Sequence, residues 1–79
     1  MNTDQDLIVK MEERYGPIIS GKHLYAALGF NTYAAFYRSL QLDELGVKVF
    51  RLAGRKGWFA RTIDVANWIN QQSKGEEKE

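Results

Sequence analysis

Arg55 and Lys56 stand side by side in the middle of the chain, bracketed by Gly54 and Gly57. Apolar and aromatic residues flank them, Phe50-Arg51-Leu52 before and Trp58-Phe59 after. The pattern predicts a β-hairpin with two cations at its tip, its glycines supplying the positive φ that tight hairpins need. Adjacent cations on a projecting turn suit one chemistry well, which is charge-assisted hydrogen bonding to phosphate oxygens. Arg51 and Arg61 add two cations on the arms.

A second group lies upstream. Phe36 and Leu40 form an inward i,i+4 pair on a helix expected over residues 32–41. Thr32, Tyr33, Tyr37, Arg38 and Gln41 then fall on its outward face. Arg38 suits a guanine edge or a phosphate, and the hydroxyls of Thr32 and Tyr33 suit phosphates or base edges. Lys22 stands at the start of the preceding helix, where free backbone N–H groups at 21–23 make an anion seat. Each feature also has a plainer reading. Tyr33 and Tyr37 equally suit half-buried covers of a small core, Lys22 a solvated lysine, and the cationic tip a solubilising turn.

Other chemistries lack their residues. Cysteine is absent, which excludes disulfides and thiolate metal sites and fits a reducing cytoplasm. His23 is the single histidine and has no i,i+4 His or Glu, so no zinc site is expected. Gly54-Arg55-Lys56-Gly57 lacks the spacing of a phosphate-binding P-loop. Ser20 and His23 sit together at one helix start, where capping explains the serine. The carboxylates gather in the terminal segments. No enzyme activity, cofactor or metal is expected.

The elements that must position the cations follow from hydrophobic period and punctuation. Leu7, Ile8, Met11 and Tyr15 lie on one stripe of a helix over 4–15, capped by Thr3 or Asp4 and stopped by Gly16-Pro17. Ile18-Ile19 is a short extended entry. Ser20 is placed to cap a second helix, about 21–28, with Leu24 and Leu28 inward and Gly29 as its stop. Phe30 plugs the turn, and Asn31 or Thr32 caps the third helix. The alternation in Val47-Lys48-Val49-Phe50-Arg51-Leu52 predicts a strand, with Trp58–Arg61 returning. Thr62 is placed to cap a last helix, 63–72, facing inward through Val65, Trp68 and Ile69. Trp58 and Trp68 read as core. Residues 73–79 read as a frayed, acidic, disordered tail.

The chain has 79 residues, one domain's worth, and at this size buries only about 60% of its unfolded surface. Its 44% hydrophobic content is that of a globular protein. No apolar run approaches a membrane span, and the polar start Met1-Asn2-Thr3-Asp4 is unlike a signal peptide. The net charge of +1 hides a split. Lys22, Arg38, Lys48, Arg51, Arg55, Lys56 and Arg61 face only Asp43, Glu44 and Asp64 between residues 17 and 72, while both ends are net acidic. A basic centre is compatible with phosphate binding by one face.

A short-turn helical pair followed by a basic hairpin is the layout of a winged helix-turn-helix. The run Ile18-Ile19-Ser20-Gly21-Lys22-His23-Leu24-Tyr25-Ala26-Ala27-Leu28-Gly29-Phe30-Asn31 resembles the opening of small winged-helix proteins of the excisionase type, relatives of the mercury-resistance-type regulators. The later run from Val49-Phe50-Arg51-Leu52 through Trp58-Phe59-Ala60-Arg61-Thr62-Ile63-Asp64-Val65-Ala66-Asn67-Trp68-Ile69 resembles their wing and closing helix. The resemblance covers about residues 18–70, and the helix before Ile18 is an addition. It implies sequence-specific binding of double-stranded DNA, and a role in transcription or in recombination directionality on a mobile element.

The expectation is therefore a mainly helical α+β domain, a winged helix with a two-stranded wing and an added N-terminal helix. Thr32, Tyr33, Tyr37 and Arg38 would read the major groove. Arg55 and Lys56 would clamp backbone or minor groove, supported by Arg51, Arg61 and Lys22. One small module makes few contacts, so tight binding would need a homodimer or tandem sites, and helix 4–15 suits either a dimer element or an extra cover on the core. The rival expectation is a winged-helix module that binds another protein, which a near-neutral total charge favours.

Overall fold

The computed structural model describes residues 3–77, with side chains from residue 5 to residue 72. The order is α1 (Thr3–Tyr15), β1 (Ile18–Ser20), α2 (Gly21–Ala27), α3 (Tyr33–Gln41), β2 (Phe59–Arg61) and α4 (Thr62–Glu77). The fold is α+β and mainly helical. The cap expected from Thr3 or Asp4 rests on side chains outside those described.

α1 packs chiefly on α4. Met11 is buried, and Leu7, Ile8 and Tyr15 lie half-buried against the core, so the stripe read from the sequence is spent inside the chain. The Gly16 N–H donates to the Glu12 carbonyl at 2.8 Å and closes the helix. Pro17 follows, and its carbonyl accepts from the Thr62 N–H at 3.0 Å, fastening the chain to the start of α4.

β1 and β2 pair antiparallel, with Ile19 opposite Ala60 and Ile18 opposite Arg61. Ile19 and Ala60 are fully enclosed, while Ile18 and Arg61 on neighbouring positions face out. β1 keeps the period of two, whereas in β2 Phe59, on the same face as Arg61, is buried as well. The centre of the core is Leu24, Phe36, Val65 and Ala66, which joins α2, α3 and α4 through the sheet.

The turn between α2 and α3 explains how Phe30 reaches that core. The Phe30 N–H donates to the Tyr25 carbonyl at 2.9 Å and the Gly29 N–H to Ala26 at 3.0 Å. This is a Schellman closure, which places an apolar residue after the glycine against the helix end. α3 then begins with Thr32 in extended geometry, its hydroxyl accepting from the Ala35 N–H at 3.1 Å. The same closure recurs after α3, where Glu44 donates to Ser39 and Asp43 holds φ 58°.

Four local expectations are corrected. First, the strand expected over Val47–Leu52 does not form. Only Phe50 pairs, with Phe59, and the two strands of the sheet are β1 and β2 rather than the arms of a hairpin. Continuing the Phe50–Phe59 register would set Lys48 opposite Arg61, two like charges across a pair. Second, Ser20 occupies the cap position of α2, but its side chain makes no capping bond. Third, Thr62 is fully buried and its hydroxyl has no hydrogen-bond partner among the described residues, so it does not cap α4. Fourth, α4 continues to Glu77, so residues 73–77 extend the helix where a frayed tail was expected. Residues 78–79 lie outside the described ones.

Candidate nucleic-acid interface

α3 is nine residues long and its buried anchor is Phe36. With Phe36 and Leu40 turned inward, the helical period sends Ala34, Arg38 and Gln41 to the far side. Tyr33 and Tyr37 occupy the flank between. They stack on each other, ring centroids 5.8 Å apart with planes 20° from parallel, and remain 48% and 39% exposed. Tyr33 also leans on Tyr25 at 5.4 Å and on Phe36 at 6.1 Å. The tyrosines are thus fixed by the core yet open to solvent.

Lys22, Thr32 and Tyr33 line one surface depression of about 620 Å³, together with Tyr25, Phe30 and Asn31. Burial pushes the Tyr25 phenol up from its ordinary pKa, and Tyr33 adds to the shift, so Tyr25 stays a neutral hydroxyl here. α2 has only seven residues. Its start therefore carries little dipole, and Lys22 counts as a side chain on this depression rather than as part of a helix-end anion seat.

A second depression lies on the other side of Phe30. Its lining is Phe30, Ala34, Ala35, Arg38 and Ser39. Arg38 is exposed and has no ion-pair or hydrogen-bond partner among the described residues. The lining roles of Phe30, Ala34 and Ala35 were missed from sequence, although the outward i,i+4 spacing of Ala34 and Arg38 was there to be read.

The loop from Phe50 to Phe59 carries the remaining cations. Phe50 and Phe59 exchange both backbone hydrogen bonds, each 2.8 Å. Beyond that pair the Arg55 N–H donates to the Leu52 carbonyl at 3.1 Å, with Gly54 at φ 76°. A positive φ at the third position is what a type II turn requires. Arg55 and Lys56 follow it, exposed and without partners among the described residues, and Gly57 at φ 90° leads back toward Phe59.

Arg51 and Arg61 are engaged elsewhere. The Arg51 guanidinium lies 5.3 Å from the centroid of the half-buried Trp58 ring, a cation–π contact across the loop. Arg61 forks onto Asp64, Nε to Oδ2 at 3.0 Å and Nη2 to Oδ1 at 2.9 Å. These bonds hold the Asp64 carboxyl below its ordinary range, helped by the charges of Arg61 and Lys48 and opposed by partial burial. Lys48 joins Phe50, Arg61 and Asp64 around a further depression at the loop base.

No cluster of metal-ligating side chains occurs among the described residues, and no helix among them is long and apolar enough to cross a membrane. No protein-family model, curated protein or solved structure matches the chain.

Proposed function

We infer that this chain is a non-enzymatic winged-helix protein of the cytoplasm that binds double-stranded DNA. α3 enters the major groove, and the loop 50–59 acts as the wing on backbone or minor groove. The observation that carries the reading is the start of α3. Lys22 and Arg38 stand in two depressions that share Phe30 as a wall, and no carboxylate among the described residues lines either. Thr32, Tyr33 and Tyr37 supply hydroxyls around the same helix start, the chemistry that grips phosphates and positions a helix. Arg55 and Lys56 on the loop tip add unpaired positive charge.

In this reading Arg51 and Arg61 shape the wing instead of touching DNA. The stripe of α1 is spent on α4, so tight binding is assigned to neighbouring copies on tandem sites rather than to dimerisation through α1. The resemblance to excisionase-type proteins supports a role in transcription or recombination directionality on a mobile element.

The rival reading, a module that docks another protein, is favoured by the exposure of Leu42, 59% at the end of α3, and of the two tyrosines on its flank. Salt titration of duplex binding separates the two. DNA binding predicts a log–log slope near −0.9 per phosphate contacted, about −3 to −5 for this set of cations. No binding to any duplex at low salt would leave the protein-docking reading in place.

A further inference from the structure

The flanks of α3 on either side of Phe30 differ in chemistry. One offers an ammonium from Lys22 and hydroxyls from Thr32 and Tyr33, groups that suit phosphate oxygens. The other offers the Phe30 ring and the methyl groups of Ala34 and Ala35, closed by Arg38 and Ser39. Arg38 lies one helical turn beyond Ala34, so guanidinium and methyl share one edge of the helix. Among the described residues nothing negative lines this groove and nothing occupies the guanidinium.

The major groove displays a matching pair of features. Thymine presents a C5-methyl group there, and guanine presents O6 and N7 as two acceptors spaced for an arginine fork. An apolar wall beside an unpaired guanidinium complements a methyl beside a double acceptor.

We propose that the groove reads a pyrimidine 5-methyl group next to a guanine, as in adjacent T·A and G·C pairs. Phe30, Ala34 and Ala35 pack on the methyl, and Arg38 forks onto guanine O6 and N7. Lys22, Thr32, Tyr33 and Tyr37 hold the backbone and do not read bases. This deepens the duplex-binding reading and rests on it.

The test begins with bound duplexes selected from a random pool at low salt. Each thymine of the selected site is then replaced in turn by deoxyuridine, which removes only the methyl group. At one thymine next to a guanine, affinity should fall about three- to fivefold, the worth of one buried methyl. Ala34→Ser should bring the thymine-to-uracil ratio toward one. Replacing the neighbouring guanine should cost wild type roughly tenfold, and Arg38→Ala should abolish that discrimination. Circular dichroism melting checks that both variants fold. If duplexes bind but no thymine beside a guanine shows the methyl effect, or if Arg38→Ala keeps the guanine preference, the groove assignment is overturned and duplex binding stands. If no duplex binds at low salt, both readings fall.

Discussion

The backbone of Gly46 rests on the edge of the Trp68 indole that carries Nε1 and Cδ1, so closely that a β-carbon at residue 46 would overlap both atoms. The connection after α3 is held to α4 by this contact. Trp68 is half-buried and packs on the core, so it has little room to retreat. Gly46→Ala should destabilise the fold by about 1–3 kcal/mol, the usual cost of overpacking. Urea unfolding followed by tryptophan fluorescence measures it, and an unchanged midpoint would show that Trp68 turns aside freely.

Thr62 offers a test of opposite sign. Its hydroxyl is buried without a protein partner, whereas its N–H is satisfied by Pro17. Thr62→Val keeps the shape and the backbone bond and removes the unpaired oxygen. Stability should hold or rise by up to about 1 kcal/mol. A loss larger than that in chemical denaturation would mean that the hydroxyl has a partner after all.

Asp43 holds a positive φ at the end of α3, a conformation that costs a residue with a β-carbon energy. Asp43→Gly should raise stability by up to about 1 kcal/mol. It also removes a negative charge near the interface, so duplex affinity at low salt should rise and not fall. Thermal melts and duplex titration read the two effects separately.

The Arg61–Asp64 fork has a pH signature. The folded pKa of Asp64 lies below its unfolded value of about 3.9, so the contribution is fully present above that value and is lost as pH falls through the lowered folded one. Both side chains are substantially exposed, so the gain is small. Melting temperatures of wild type and Asp64→Asn should differ at pH 5 and converge toward pH 2. Duplex affinity should not collapse in Asp64→Asn. A tenfold loss would implicate Asp64 directly in binding.

Removing the tip cations together, Arg55→Ala with Lys56→Ala, should weaken binding to all duplex sequences alike and reduce the salt slope by about two. Arg38→Ala should instead cost about 1–3 kcal/mol on the preferred site and much less elsewhere. Two mutants that bound like wild type while folded would remove the site assignment.

The helices were legible because their information is local. Leu7, Ile8, Met11 and Tyr15 declare a stripe by spacing alone, and Thr32 declares a cap that the Ala35 N–H completes. The loop 50–59 was legible as a turn, through Gly54 and Gly57, but its arms are not a pair of strands. What β2 pairs with is decided by Ile18–Ser20, far upstream, and a window around Phe59 contains none of that. The Arg61–Asp64 spacing is present in the sequence, but the fork between them depends on how the start of α4 is laid against β2. The contact between Gly46 and Trp68 left no local trace at all. It exists only once α4 is laid beside the connection.

The pairing of β1 with β2, and of α1 with α4, ties residues 3–20 to residues 59–77. During synthesis, Ile19 and Met11 have no place to settle until Ala60 and the final helix have left the ribosome. The first helix and strand should therefore settle only after α4 has emerged, in one late step, and fragments that stop short of β2 should be prey to proteases.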